Sequence, residues 1–251
     1  MRVEQLIRDG AARYGSRTAV VAGRVAYSYA ELDLKSDRLA AVLAARGVRH
    51  GDGIAVFLSA GFPSAVTTFG VLKAGAILCP VEAGSDAGSL AKILGDRAAV
   101  GIVTEARLAL KAASAICQAP PVKLVVLVGG GERTVLAPNC ISFEDAIRID
   151  ERPVALPDGD DDVAIKLGLA SADGQDSVVS LSHADVFAAL SFVDDESMDE
   201  GAASLSPLAD FCRLAGAIRA GVTKVLDPPA KGSVVATAGS SVRALQLALT
   251  W

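Results

Sequence analysis

Apolar residues recur along this chain in two patterns: stretches with helical spacing, and short β-branched runs bounded by glycine or proline. The helical spacing predicts helices over residues 3–14, 28–47, 63–73, 90–94 and 105–117 and another from residue 183. The short runs predict strands over residues 18–22, 25–27, 54–58, 76–79, 100–103, 123–128, 163–169 and 178–181. A strand, helix and strand follow around residues 204, 218 and 225, and a last strand and helix over 234–251. Because strands alternating with helices are typical of parallel β-α-β units, the pattern predicts an α/β fold, a layered sandwich of mostly parallel sheets and helices.

Local signals mark the ends of the helix between residues 28 and 47. Ser28 is followed three positions later by Glu31, which predicts a capping box in which each side chain bonds the other residue's backbone N–H. Gly47 is the expected left-handed terminator, and Gly75 plays the same part for the next helix. Lys73, in the last turn before Gly75, is expected to be solvated and to interact favourably with the helix dipole.

A change in composition divides the chain. Residues 153–162 carry two prolines, a glycine and a run of aspartates, which is typical of a solvated linker. We therefore predict a first α/β subdomain over residues 1–152 and a second over 163–251. The chain ends on Trp251 without a polar tail, so the second subdomain is expected to be truncated.

Composition and charge exclude several classes of protein. Although mean hydropathy is +0.42, no apolar run approaches the ~18 residues of a spanning helix, and residues 1–10 lack the apolar stretch of a signal peptide. The net charge of −5, without a basic block, excludes an electrostatic footprint for nucleic acid. Four dispersed cysteines and two histidines do not predict a metal site. We expect a cytoplasmic protein that binds neither membrane nor nucleic acid.

Several blocks of residues follow one another along the first part of the chain. They are Arg17-Thr18-Ala19-Val20-Val21, Tyr27-Ser28-Tyr29-Ala30-Glu31-Leu32, Ser36-Asp37-Arg38-Leu39-Ala40, Gly47-Val48 with Gly51-Asp52, and Leu72-Lys73-Ala74-Gly75-Ala76 with Cys79-Pro80-Val81. In this order and spacing they resemble the opening of the adenylate-forming superfamily, which includes acyl-CoA synthetases, peptide-synthetase adenylation domains and luciferases. The similarity covers roughly residues 3–105 and continues more loosely to about 226. It implies the N-terminal domain fold of an acyl-activating enzyme, in an incomplete version, and ATP or AMP with Mg²⁺ as the family's ligands.

The resemblance also locates the family's phosphate-binding loop, close to T-S-G-T-T-G-x-P-K-G and closed by S-H or T-H. Ser182-His183 matches the closing pair, so the loop occupies residues 169–178. His183 itself is expected to cap or pack at the start of its helix, because no neighbouring cysteine or acid forms a triad with it. The residues at the cofactor-binding positions are Ser171, Asp173, Gly174 and Ser177.

The loop has lost the chemistry that holds a triphosphate. Ser177 stands where the family has lysine, and Asp173 and Asp176 add negative charges where phosphate oxygens would lie. Like charges at contact distance repel strongly unless Mg²⁺ intervenes. We therefore predict no bound cofactor. The two aspartates could instead hold Mg²⁺, but a solvated turn, which uses Asp, Ser and Gly for local backbone hydrogen bonds, is the preferred interpretation, and no metal site is predicted.

One residue is a candidate for substrate binding. Residues 206–211 stand where the family has a P-L-x-H segment beside the acyl pocket, but they contain no histidine. Phe211 could line a remnant of that pocket, or it could be an ordinary core aromatic.

These observations leave three hypotheses. The first is a non-catalytic acyl-CoA synthetase/AMP-ligase-like pseudoenzyme, a binding or interaction module with a possible acyl or carboxylate ligand and a possible protein partner at the exposed truncated side. The second is one half of a split carboxylate-activating (AMP-forming) ligase, and the third a truncated remnant without selected function. The family's later nucleotide-binding and catalytic segments have no counterpart in the sequence, so no catalytic residue is predicted and this chain alone is expected to be inactive.

Overall fold

The structure is a computed structural model that describes residues 1–119, 122–130, 139–150, 161–169, 177–191 and 207–226. The helices in these ranges are α1 (Gln5–Tyr14), α2 (Tyr29–Ala45), α3 (Phe62–Lys73), α4 (Ala87–Asp96), α5 (Ala109–Ile116), α6 (Phe143–Ala146), α7 (His183–Ser191) and α8 (Pro207–Ala220). The strands are β1 (Thr18–Ala22), β2 (Val25–Ser28), β3 (Gly53–Phe57), β4 (Ile77–Pro80), β5 (Ala99–Glu105), β6 (Leu124–Val128), β7 (Cys140–Ser142), β8 (Val163–Leu169), β9 (Ser177–Ser182) and β10 (Lys224–Leu226). The strand and helix predicted over residues 234–251 lie outside the described residues.

Seven of these strands form one sheet in the order β7-β6-β5-β3-β4-β8-β9. Every neighbouring pair is parallel except the β8–β9 hairpin at the edge. Side chains of β3 alternate between two cores: Ile54 and Val56 pack with α2 and α3, whereas Ala55 and Phe57 pack with α4 and α5. Helices thus cover both faces, as a parallel sheet requires, and the predicted α/β layers are confirmed.

A second, three-stranded sheet has the order β10-β1-β2. β1 and β2 form a hairpin that turns at Gly23, whose φ of 59° suits glycine. β10 pairs with β1 in parallel, although about two hundred residues separate them in sequence.

The two predicted subdomains, residues 1–152 and 163–251, each contribute strands to both sheets. β8 pairs with β4 and β10 pairs with β1. α1 and α8 contact each other across the same division. The boundary therefore separates the chain in sequence without separating the sheets, and the division into subdomains stays a prediction.

The capping signals are confirmed. The Ser28 N–H donates to Glu31 Oε2 at 2.8 Å, and the Glu31 N–H donates to Ser28 Oγ at 3.2 Å. Gly47 and Gly75, with φ of 87° and 72°, terminate α2 and α3. These ends were readable because each depends on atoms only a few residues apart.

The solvated position expected for Lys73 is wrong. Lys73 is 1% exposed, because the last turn of α3 packs against α2 rather than facing water. Its Nζ lies 2.5 Å from Asp33 Oδ1 and 2.8 Å from Asp37 Oδ1, and it also donates to the Asp33 carbonyl at 2.9 Å. Two carboxylates of α2 therefore compensate the buried ammonium.

The helix predicted over residues 105–117 begins later than expected. β5 continues through Glu105, a single 3-10 turn covers Ala106–Leu108, and α5 follows. The strand β7 and the short α6 were not predicted, since three and four residues are too few to show a period.

Candidate functional site

The β8–β9 hairpin brings the two ends of the predicted phosphate loop together. Leu169 and Ser177 are paired across the hairpin. β8 runs parallel to β4, so the hairpin opens at the carboxyl edge of the sheet, where open α/β sheets bind ligands. Ser177 is exposed at the first position of β9. The other three candidate residues, Ser171, Asp173 and Gly174, lie outside the described residues.

The described part of the hairpin has a neutral side chain at the position where the family's loop has lysine. Ser177, at the lysine position of the family's loop, offers a neutral hydroxyl in place of a cation. Lys166 lies within β8, paired with Ser180 and away from the open end. The described flanks of the loop therefore place no cation at the position where the family's loop has one.

A second cationic side chain, Arg97, lies beside β8, and the sequence pattern did not predict this position. Arg97, at the end of α4, is only 5% exposed, and its Nη1 donates to the Pro80 carbonyl at 2.6 Å. A Cβ on Gly168 would lie 3.0 Å from Arg97 Nη2, so the glycine makes room for the guanidinium. Burial lowers the pKa of Arg97. The pairing joins positions about 70 residues apart, which no local pattern indicates.

The closing pair of the loop builds a helix cap. The Ser182 N–H and hydroxyl both donate to Asp185 Oδ2, at 2.8 and 2.7 Å, and the Asp185 N–H donates back to Ser182 Oγ at 3.1 Å. These bonds fix the start of α7 at His183.

His183 is a structural residue, as expected. It is 1% exposed, and its Nδ1 accepts a hydrogen bond from the Val3 N–H at 3.0 Å. The imidazole is therefore neutral, with its proton on Nε2. Glu4 Oε2 lies 3.7 Å from Nδ1, but burial outweighs the attraction of Glu4 and lowers the pKa of His183 to about 4. The expectation that His183 packs at its helix start is confirmed.

Phe211 lies on α8 and belongs to the larger hydrophobic core, with 5% of its surface exposed. This is the environment of a core aromatic. Its candidate role in a substrate pocket stays a prediction.

A cavity of about 290 Å³ opens where the two sheets meet, and we call it the sheet-junction cavity. The large sheet supplies the loop after β3 and the carboxyl ends of β5 and β6, and the small sheet supplies the β1–β2 hairpin and the end of β10. The amino end of α3 closes one side. The lining residues are Ala22, Gly23, Tyr27, Leu58, Ser59, Ala60, Gly61, Phe62, Pro63, Glu105, Val128 and Leu226.

Two residues of the cavity lining, Ser59 and Glu105, form a polar cluster with Arg107. Glu105 Oε1 accepts hydrogen bonds from the Ser59 N–H at 3.0 Å and the Ser59 hydroxyl at 2.8 Å. It also accepts from Arg107 Nη2 at 2.8 Å, and Arg107 contacts the Ser59 hydroxyl as well. Sequence reasoning missed the cluster because it placed Glu105 at a helix start instead of at a strand end.

Within the described ranges, no group of three or more His, Cys, Asp or Glu side chains is placed to hold a metal ion. The four cysteines are free thiols, and burial raises the pKa of Cys79 and of Cys140 to about 11. None of the helices described here combines the length and apolar character needed to cross a membrane.

Comparisons with known proteins, by sequence and by structure, agree with the family resemblance described above. The family model described as "AMP-binding enzyme" matches residues 7–166. Phosphinothricin tripeptide synthetase PhsC of Streptomyces viridochromogenes is 38% identical over 104 residues, which are 41% of this chain and 10% of that protein. Malpibaldin synthetase of Mortierella alpina is 34% identical over 103 residues, 41% of this chain and 2% of that protein.

Among solved structures, the long-chain-fatty-acid-CoA ligase FadD1 of Archaeoglobus fulgidus superposes with a TM-score of 0.76 at 17% identity. The superposition covers 90% of this chain and 47% of the ligase. This likeness concerns the fold. The chain spans at most a tenth of the two curated relatives and about half of the solved ligase.

Proposed function

Because this chain belongs to the AMP-binding enzyme family, we propose that it is an acyl-CoA synthetase/AMP-ligase-like pseudoenzyme, which acts as a binding or interaction module and does not catalyse adenylation. The observation that carries the proposal is Ser177, exposed at the open end of the β8–β9 hairpin where the family's loop has lysine. The match to the family ends at residue 166, before this loop.

Electrostatics favours this proposal. Bonds from an ammonium to phosphate oxygens are roughly twice as strong as neutral ones, and they neutralise charge that builds up during phosphoryl chemistry. A serine hydroxyl supplies neither effect. Asp173 and Asp176, on the same seven-residue connection, add charge of the wrong sign. A loop of this composition favours weak nucleotide binding and slow or absent adenylation.

What remains is a scaffold with surfaces for other ligands. We propose an acyl or carboxylate ligand, with Phe211 as its candidate contact, and a protein partner at the outer edge of the large sheet. β9 ends the described strand order, and Val178 on it is 38% exposed. An uncharged edge strand is a template for a strand from another chain.

The test is isothermal titration of the purified protein with ATP–Mg²⁺ and with AMP, together with a thermal melt. We expect a cooperative melt and no saturable heat at micromolar nucleotide. Saturable binding, or acid-dependent exchange of pyrophosphate into ATP, would contradict the proposal and favour the split-ligase alternative. A chain that does not melt cooperatively would favour a remnant without selected function.

A matched pair of variants tests whether the missing cation at residue 177 weakens nucleotide binding. Ser177→Lys restores a cation at the open end of the hairpin, whereas Ala189→Lys adds the same charge to an exposed position of α7. If the missing cation weakens binding, Ser177→Lys tightens ATP binding by about tenfold relative to Ala189→Lys. Equal effects of the two variants would show that only net charge matters.

A further inference from the structure

We infer that the sheet-junction cavity is a binding site for a small, flat, mostly apolar molecule that carries a hydroxyl group, of the phenol class. This goes beyond the proposed function, because neither Ser177 nor Phe211, the two candidate residues that the structure describes, lines the cavity. Its volume of about 290 Å³ equals that of roughly ten water molecules in the liquid. The ligand therefore has about ten non-hydrogen atoms.

The walls are largely aromatic and aliphatic. Tyr27 of β2 and Phe62 of α3 stack on each other with their ring centroids 3.4 Å apart and their planes 8° from parallel, so together they form one aromatic wall beside which a planar ring can pack. Leu58, Val128 and Leu226 add aliphatic surface from both sheets. Pockets of this kind, apolar with a few polar groups, are the usual form of small-molecule sites. An aromatic body gains dispersion and hydrophobic energy here.

The polar end favours a donor. All three hydrogen bonds that Glu105 receives from Ser59 and Arg107 end on Oε1. Among the described residues none donates to Oε2, so this oxygen can accept from a ligand. A hydroxyl donates to it. A ligand carboxylate at Oε2 would meet a like charge, because the cation of Arg107 is bonded to the other oxygen, Oε1, and this separates the site from one for the acids of the proposed function.

The bonds to Oε1 also give the site rigidity. They tie the loop after β3 to the end of β5, so Glu105 is held in place before a ligand arrives. A carboxylate already fixed by its neighbours loses little freedom on binding, and that improves affinity.

The experiment is titration of the full chain with 4-methylphenol, followed by backbone amide NMR shifts. Toluene, which lacks the hydroxyl, and 4-methylbenzoate, which replaces it with a carboxylate, serve as matched probes. We expect saturable shifts at Ser59, Gly61 and Phe62, and affinity for 4-methylphenol about tenfold above that for either other probe. Absence of saturable shifts, equal affinity for toluene, or tighter binding of 4-methylbenzoate overturns the inference.

Variants separate the contribution of the Glu105 carboxylate, which accepts a hydrogen bond from the ligand's hydroxyl, from that of the space enclosed by the cavity walls. Glu105→Gln, which keeps the shape but removes the charge, is expected to lower the preference for 4-methylphenol over toluene to about threefold. Glu82→Gln, on an exposed loop residue, leaves it unchanged. Ala22→Leu fills the cavity and abolishes binding of both probes. If Ala22→Leu binds them as the wild type does, the probes lie elsewhere and the inference fails; should that variant not fold, the Glu105 and Glu82 pair decides.

Discussion

At the scale of single residues, the structure buries several charged side chains that the sequence pattern does not predict to be buried. Lys73, Arg97 and Glu4 are all at least nine-tenths buried. Each is compensated differently: Lys73 by two carboxylates, Arg97 by a backbone carbonyl, and Glu4 by Arg2 Nε at 2.6 Å. Burying such groups costs several kcal/mol each unless the partners are well placed. Removal of one partner is therefore more damaging than removal of the whole set.

Lys73→Met is predicted to destabilise the protein by about 2–4 kcal/mol. The substitution leaves Asp33 and Asp37 without their shared cation, although both remain about one-fifth exposed, which softens the cost. Chemical denaturation measures the change in unfolding free energy. Lys123→Met, at an exposed position before β6, is the control and is expected to change stability by less than about 0.5 kcal/mol.

A double variant tests whether uncompensated carboxylate charge causes the destabilisation by Lys73→Met. Adding Asp37→Asn to Lys73→Met removes one of the stranded charges and is expected to restore about 1 kcal/mol or more. Strict additivity of the two substitutions would mean that the cost came from packing and not from charge.

At the scale of elements, helix ends are determined locally and helix faces are not. The boxes at Ser28–Glu31 and Ser182–Asp185 set the starts of α2 and α7 with bonds that span three residues. The burial of α3 on nearly every side depends instead on α2 and on both neighbouring strands. A helix buried in this way, such as α3, has no single apolar face, and its polar side chains are buried together with the apolar ones.

Ser28→Ala is predicted to lower the free energy of unfolding by about 1 kcal/mol, because the Glu31 N–H loses its acceptor at the start of α2. Thermal or urea unfolding measures the loss. Ser114→Ala, at an exposed position within α5, is the comparison and is expected to be neutral or slightly stabilising. Equal losses in both variants would show that the cap contributes nothing of its own.

At the scale of the whole molecule, several contacts join parts of the chain that are far apart in sequence. The Val3 N–H bonds to His183, the Tyr29 hydroxyl donates to the Val222 carbonyl at 3.0 Å, and β10 adds to β1. Each contact joins residues more than 150 positions apart. Stability of the front of the chain is thus linked to residues beyond the acidic segment at 158–162.

The His183 contact makes stability depend on pH. Its pKa is lowered from the ordinary 6.5 to about 4 in the folded protein, so the unfolded chain binds a proton first as pH falls. Stability from this residue is complete above pH 6.5 and is lost as pH falls toward 4, by about 3 kcal/mol in total.

His183→Asn provides the comparison, since its amide oxygen can also accept from the Val3 N–H but does not titrate. We expect the unfolding free energy of the wild type to fall more steeply than that of the variant between pH 6.5 and 4. Parallel pH profiles would show that His183 is not the titrating group.

The sequence alone determined the order and type of most elements, the capped helix ends, the α/β layers and the family resemblance. These depend on periodicity, on side chains a few residues apart and on blocks of adjacent residues, all of which are present in the linear chain. The same reasoning located the β8–β9 hairpin and the closing pair Ser182-His183 at its far end.

Only the tertiary structure decided which charges are buried and where a cavity forms. The sequence predicts Lys73 as a surface residue, but in the fold α2 covers it. Arg97 lies close beside β8, where a Cβ on Gly168 would come within 3.0 Å of its Nη2. The sheet-junction cavity needs a hairpin from the start of the chain, strand ends from its middle and β10 from its later part. Such features arise when distant segments pack together, and burial, unlike helical period, is a property of that packing and not of neighbouring residues.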